Sequence, residues 1–276
     1  MVMREYLVCV DSDGCAMDTM NSKHEQCFGP VMISMWGLTD QNETVQKEWN
    51  RVNLFSETRG INRFLALELV LKNIGMTEST EDFAVFQKWL KETKELSQAS
   101  LKAWTESHAS ETCRKALEWS RQVNEKISQM PKEGNKAFDG VRQVLARIHE
   151  IADVCIVSSA NRGAVEEEWT REGLLDHVDV LMTQENGSKK DCIKAILERG
   201  YKPEHVLMVG DAPGDLEAAR FNGVSFYPIL AGRESESWEK LYDSALISLM
   251  HGSFGDGAEL EEQFYRNLER LAQTDQ

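Results

Sequence analysis

The sequence predicts an α/β protein, a doubly wound, Rossmann-like parallel sheet into which an all-helical domain is inserted. Three observations carry this. The chain opens on a short apolar run, Tyr6 to Val10, that ends in two aspartates. From Phe138 onward strand-like and helical runs alternate, as they do when parallel strands are joined by crossover helices. Between these parts, from Asn21 to Met130, apolar residues recur at helical spacing without strand alternation.

The opening run is too short for a helix and contains the β-branched Val8 and Val10. It therefore reads as a strand buried on both faces. Asp11 and Asp13 follow, with Gly14 next to let the backbone turn. In an open α/β sheet this is where ligands bind, beyond the carboxyl end of a strand. Neighbouring carboxylates repel unless a cation lies between them, and Mg²⁺ suits few carboxylates because it keeps positions for water and phosphate. An Asx-rich turn fits the same residues.

In the helical stretch, Phe64, Leu67, Leu71 and Ile74 share one face, and Phe83, Phe86 and Leu90 repeat the pattern. Five of the seven tryptophans lie here, Trp36, Trp49, Trp89, Trp104 and Trp119. They read as core filling rather than a cofactor site. Turns are expected at Thr58-Arg59-Gly60 and from Gly75 to Thr80. The expected boundaries are a helical domain over 21–137 and an α/β core made of 1–20 and 138–276.

In the second half, Val141, Val144, Leu145 and Ile148 mark a helix and Val154 to Val157 a strand. Strands over Val178 to Met182, Val206 to Val209 and Val224 to Leu230 follow, separated by helices from Lys190 to Arg199 and Gly214 to Phe221. Gly173, Gly200 and Gly223 stand where helices should end. A last amphipathic helix carries Leu260, Phe264, Leu268 and Leu271.

The chain has 276 residues and a formal net charge of −15. Such a balance argues against nucleic acid and anionic membrane surfaces as partners, since both require a cationic footprint. Six cysteines without paired spacing fit reduced thiols, and no apolar run approaches a membrane span. The expectation is a soluble, cytoplasmic protein.

A parallel sheet brings the strand ends to one edge. There the sequence supplies Asp11 and Asp13, Ser158 and Ser159, Ser188 with Lys189 and Lys190, and Asp211 with Asp215. Ser158, between a strand and a helix, offers a hydroxyl near a helix N-terminus, where an anion is favoured; it also fits an ordinary N-cap. Ser188 and Asp191 have capping-box spacing, which puts Lys189 in the first turn of its helix. A cation is required here to balance phosphate against so many carboxylates, and Lys190 is the alternative to Lys189.

Asp11-Ser12-Asp13-Gly14, Ser158, Lys189 and Gly210-Asp211-Ala212-Pro213-Gly214-Asp215 resemble, in order, the four motifs of the haloacid dehalogenase superfamily. The helical insert lies between motifs one and two, where the family's first class of cap domain stands, and Met17-Asp18-Thr19 resembles the usual continuation of motif one. The resemblance implies Asp11 as nucleophile and Asp13 as general acid and then base. It implies Ser158, Ser159 and Lys189 as phosphate-binding residues, and Mg²⁺ held by Asp11, Asp13 through its backbone oxygen, and Asp211, with Asp215 in support. Dehalogenases and phosphonatases of this family lack an aspartate at the position of Asp13, so phosphate-ester hydrolysis is favoured.

Two positions depart from the pattern. Cys15 replaces the usual threonine, and Lys23 with His24 stands where sugar-phosphate members often have a histidine. Glu57 to Arg63 is a polar, flexible break expected on the surface, and Arg63, just before a helix, resembles a cap-loop residue that contacts the leaving group. The expected activity is Mg²⁺-dependent hydrolysis of a small phosphorylated metabolite through an aspartyl-phosphate. A phosphomutase using the same residues, or a catalytically weak phosphate- or metal-binding protein, are the alternatives.

Overall fold

In the computed structural model, residues 3–76, 81–131, 136–255 and 257–274 are described. The chain divides into two compact units, Met1–Met20 with Lys132–Leu271, and Asn21–Pro131 with Ala272–Gln276. The first strand, β1, runs Leu7–Val10 and is buried throughout.

The second unit is helical. Its main helices are α1 (Gly29–Met35), α2 (Asn42–Asn53), α3 (Arg63–Asn73), α4 (Glu81–Glu92), α5 (Gln98–Ser107) and α6 (Glu111–Ser128). One apolar stripe from each meets in a shared core: Val45, Trp49 and Val52 of α2, Phe64 and Leu67 of α3, Phe86 and Trp89 of α4, and Trp119 and Val123 of α6. The tryptophans there fill space, with Trp49 and Trp119 5.7 Å apart and Trp89 edge-on to Phe64 at 5.1 Å. Aromatic pairs prefer such tilted arrangements.

The break at Thr58-Arg59-Gly60 is a turn, but it is not the exposed one the sequence suggests. Arg59 is buried and donates to the Leu54 carbonyl at 2.8 Å, and the Thr58 hydroxyl donates to the Val52 carbonyl at 2.6 Å. Those carbonyls end α2 and have no partner within the helix, so the polar side chains are drawn inward to satisfy them. Of the break from Gly75 to Thr80, residues 77–80 lie outside the described residues.

The first unit resumes with α7 (Val141–Ile151), β2 (Asp153–Val157), α8 (Arg162–Arg171), β3 (Val180–Met182) and α9 (Lys189–Leu197). Then come β4 (Val206–Gly210), α10 (Pro213–Asn222), β5 (Ser225–Pro228), α11 (Glu234–Lys240) and α12 (Ala258–Thr274). Two strands are shorter than expected. β3 starts late because Leu175–His177 form a tight turn, and β5 stops at Pro228, level with Gly210, where its partner β4 ends.

The five strands form one parallel sheet in the order β3-β2-β1-β4-β5. Strand alternation divides the core between two faces. Val8, Val10, Val154 and Ile156 pack against α7, α8 and α11, while Leu7, Cys9, Cys155 and Val157 pack with residues of α9, α10 and α12. Both faces being covered is why the strands read as continuous apolar runs. The six cysteines are free and buried. Among the described residues no helix is long and apolar enough to cross a membrane.

From β1 the chain builds the sheet outward through β2 and β3, then returns to place β4 on the other side of β1. The order therefore reverses between β1 and β4, and the crevice beyond their carboxyl ends is where ligands of such sheets bind.

Candidate active site

Asp11 directly follows β1 and donates its backbone N–H to the Val209 carbonyl of β4 at 3.0 Å, so it is fixed at the reversal point. The loop after it folds around one atom. The Ser12 carbonyl oxygen accepts from the backbone N–H groups of Cys15, Ala16 and Met17 at 3.3, 3.0 and 2.9 Å. Gly14 turns the loop with a φ of 80°, a region that disfavours side chains. Asp13 is half-buried, and its carboxylate accepts a hydrogen bond from the Thr19 hydroxyl.

Across the crevice, Asp211 follows β4 and Asp215 sits in the first turn of α10. Asp215 is fully buried, and its Oδ2 accepts from the Ala212 N–H at 3.1 Å. Lys189 opens α9 behind a Ser188–Asp191 capping box. Its Nζ lies 2.8 Å from a carboxylate oxygen of Asp11 and 2.6 Å from one of Asp215. Lys190 instead reaches the exposed Glu217 at 3.1 Å.

Asp11, Lys189, Asp211 and Asp215 are thus brought together from three segments of the chain. Asp13 and Ser158 stand at the same sheet edge. Ser158 is not the N-cap of α8, which starts later behind Asn161; its hydroxyl accepts from the Ala160 N–H at 3.1 Å and its own N–H donates to the Met182 carbonyl at 3.0 Å. Ser159 is exposed beside it. Arg63 belongs to the helical unit, where it donates to Ser120 and Asn124.

Burial pushes the Asp11 carboxyl up to about 7, a rise that Lys189 opposes and Asp215 reinforces. Asp215 is raised for the same reason, burial first. Burial alone would lower Lys189, but the two carboxylates outweigh it and hold the ammonium above its ordinary value. Asp11 and Asp215 therefore share the Lys189 ammonium, and the buried Asp211 adds a third carboxylate beside them.

This donor set fits a divalent ion. Asp11, Asp211 and Asp215 each offer an oxygen within 4.8 Å of the others, the only such trio of potential ligands among the described residues. Oxygen donors alone, all of them carboxylate, suit a hard cation such as Mg²⁺. A positive ion among them would favour the charged forms that burial disfavours.

Two contacts were not legible as site features. Thr19 holds the Asp13 carboxylate, and Trp169 of α8 donates its indole N–H to the Ser12 hydroxyl at 2.9 Å. The first carries a faint signal in the Met17-Asp18-Thr19 continuation of the loop. The second joins residues 157 positions apart and carries none.

The family model described as haloacid dehalogenase-like hydrolase matches residues 75–229, more than half of the chain. The chain belongs to the haloacid dehalogenase-like hydrolase family. No curated protein gives a significant match to it. Among solved structures, this haloacid dehalogenase-like chain is similar to a Lactobacillus delbrueckii subsp. bulgaricus protein provisionally named a phosphoglycolate phosphatase, at 12% identity over 82% of this chain and 86% of that one, with a TM-score of 0.52. It is also similar to a haloacid dehalogenase-like hydrolase family protein from Streptococcus pneumoniae, at 11% identity over 85% and 90% of the two chains and a TM-score of 0.45. A Thermotoga maritima protein provisionally named a β-phosphoglucomutase matches at 18% identity over 86% and 99%, with a TM-score of 0.47. At these identities the likeness is one of fold.

Proposed function

We propose that the chain is a Mg²⁺-dependent phosphatase acting on a small phosphorylated metabolite, with the helical unit serving as its cap. The observation that carries this reading is the buried Asp11 carboxylate, held 2.8 Å from Lys189 at the edge of the Asp11–Asp211–Asp215 cluster. A carboxylate so placed has a positive group beside it for an incoming phosphate and a fixed direction of attack.

An oxygen of Asp11 attacks phosphorus, and the bond from phosphorus to the leaving oxygen breaks, giving an aspartyl-phosphate. Asp13, protonated, gives its proton to the leaving alkoxide. As a carboxylate it then takes a proton from water, whose oxygen attacks phosphorus and releases Asp11 and inorganic phosphate. A positioned acid–base of this kind contributes roughly 10² to 10⁴-fold. Thr19 orients the Asp13 carboxylate for both transfers. Lys189 and the Ser158 hydroxyl, with Ser159 and the backbone after it, hold the phosphoryl oxygens. Asp11, Asp211 and the backbone oxygen of Asp13 would hold the Mg²⁺, with Asp215 steadying Lys189 and the cluster. When bound, the ion offsets the negative charge of the phosphoryl group and the carboxylates. On this reading Arg63 of the cap recognises a second anionic group on the substrate, since a guanidinium pairs well with carboxylate or phosphate.

The test is phosphate release from a panel of phosphorylated metabolites, with Mg²⁺ and with chelator, by wild type and by Asp11→Asn. The expected result is Mg²⁺-dependent release by wild type and essentially none by the folded Asp11→Asn protein. Near-normal turnover by Asp11→Asn would overturn the covalent route.

A further inference from the structure

Ser12 lies between the two aspartates of the loop, so both carboxylates hang from residues bonded directly to it. Its carbonyl gathers three backbone N–H groups of the loop, as described above, and its hydroxyl accepts from the Trp169 indole at 2.9 Å. Ser12 and Trp169 are both fully buried. Trp169 belongs to α8, the helix that follows the Ser158–Ser159 turn. A single buried hydrogen bond thus ties the loop of Asp11 and Asp13 to the helix behind the phosphate-binding turn. A second indole holds the same loop from the other end, with Trp238 of α11 donating to the Cys15 carbonyl at 2.8 Å. Two indoles from two helices thus add side-chain anchors to a loop that contains a left-handed glycine.

We infer that the Trp169 indole N–H is a positioning group for phosphoryl transfer, acting through the Ser12 hydroxyl to set where Asp11 and Asp13 stand. The inference rests on the phosphatase reading. The indole ring packs in the core beneath the sheet, but its N–H is spent on a residue of the reacting loop and not on a structural carbonyl. A buried hydroxyl that loses its donor is left unsatisfied at a cost in free energy, which favours a shift of the loop. Reactions of bound groups are sensitive to such shifts.

The experiment is a double-mutant cycle on kcat and KM with p-nitrophenyl phosphate and Mg²⁺, using wild type, Trp169→Phe, Ser12→Ala and the double variant. Melting temperatures show which variants fold. Each single variant is expected to lose kcat by roughly tenfold or more, the scale expected of a slight misplacement of reacting groups, with KM little changed. The double variant should be no worse than the poorer single one, because neither partner is then left unsatisfied. Single variants with wild-type kcat, or losses that multiply in the double variant, overturn the inference and leave Trp169 a packing residue. If Trp169→Phe does not fold, Ser12→Thr beside Ser12→Ala decides: threonine keeps the hydroxyl that accepts from the indole and should retain kcat, and a loss in Ser12→Thr equal to that in Ser12→Ala overturns the inference. A wild type without Asp11-dependent phosphate release defeats the phosphatase reading and this inference together; an active wild type with unaffected variants defeats the inference alone.

Discussion

Gly210 and Asp215 approach so closely that a methyl group on the first would stand 2.3 Å from Cγ and 2.4 Å from Cβ of the second. Asp215 has little room to yield. Its Oδ2 is tied to the Ala212 N–H and its Oδ1 to Lys189, and its Cβ is held by the first turn of α10. Glycine at the end of β4 is therefore what permits a buried carboxylate to sit under the Asp211 loop. Gly210→Ala should destabilise the α/β unit by about 1–3 kcal/mol, the usual cost of overpacking, and weaken Mg²⁺ binding by displacing the cluster. Gly214, in the first turn of α10, has nothing within 4 Å of where a Cβ would point. Gly214→Ala should leave stability unchanged or raise it by up to about 1 kcal/mol. Urea unfolding and calorimetric Mg²⁺ titration of both variants check this, and equal behaviour of the two would remove the steric argument.

Asp13 and Asp211 should separate cleanly. The Asp13 carboxylate is engaged by Thr19 and stands outside the trio of Asp11, Asp211 and Asp215. Asp13→Ala is expected to bind Mg²⁺ normally and to lose roughly 10² to 10⁴-fold in kcat as the proton carrier goes. Asp211→Ala is expected to weaken Mg²⁺ binding by roughly 100-fold or more, beyond what loss of an outer partner costs. Titrations showing the same loss of affinity in both would contradict this division of labour.

The helical unit carries a pH-dependent cap. At the start of α6, Asp82 accepts from the backbone N–H groups of Glu111 and Thr112 at 2.7 and 2.8 Å, and Ser110 accepts from that of Cys113 at 3.1 Å. Burial would raise the Asp82 carboxyl, but the hydrogen bonds from Thr112, Glu111 and Ser110 outweigh it and hold the group below its ordinary value. A carboxyl lowered by folding adds stability that is full above its unfolded pKa, about 4, and is lost as pH falls through the lower folded value. Asp82→Ala should therefore cost about 1 kcal/mol near neutrality, as loss of an N-terminal cap does. The gap from wild type should close progressively below about pH 4. Melting followed by tryptophan fluorescence across this range measures it, and a gap independent of pH would assign the effect to packing.

How much of this was legible in the sequence follows from what fixes each feature. β1 and β4 were readable because a strand covered on both faces must be apolar without interruption. Asp11, Lys189, Asp211 and Asp215 converge because each directly follows a strand or opens a helix, so topology alone carries them to one edge. The start of α8 was not readable, since Ser158, Ser159 and Asn161 are all good caps and the Asn161 side chain wins by accepting from the Ala164 N–H at 3.0 Å. Arg59 was misjudged as surface because charge normally means exposure, whereas here the carbonyls ending α2 supply its partner. The Trp169–Ser12 contact depends on how α8 lies against the sheet, which no local pattern encodes.

Arg63 opens α3 and donates from one nitrogen to the Ser120 hydroxyl at 3.1 Å and to Asn124 Oδ1 at 2.7 Å. Its guanidinium carbon lies 5.0 Å from the centre of the Phe28 ring. Ser120 and Asn124 fix the direction of the guanidinium, and the aromatic face of Phe28 restricts it further. A guanidinium held this way costs less to order when an anion arrives than one on a free side chain. If it meets a second anionic group of the substrate away from the reacting phosphorus, it contributes equally to the ground and transition states. Arg63→Ala should then raise KM for the best doubly anionic substrate by roughly tenfold with kcat unchanged, while p-nitrophenyl phosphate is hydrolysed as before. Asn124→Ala, which loosens the arginine but keeps its charge, should raise the same KM by less. Equal effects of Arg63→Ala on both substrates, or none on either, would make Arg63 a structural link between α3 and α6 and remove it from substrate recognition.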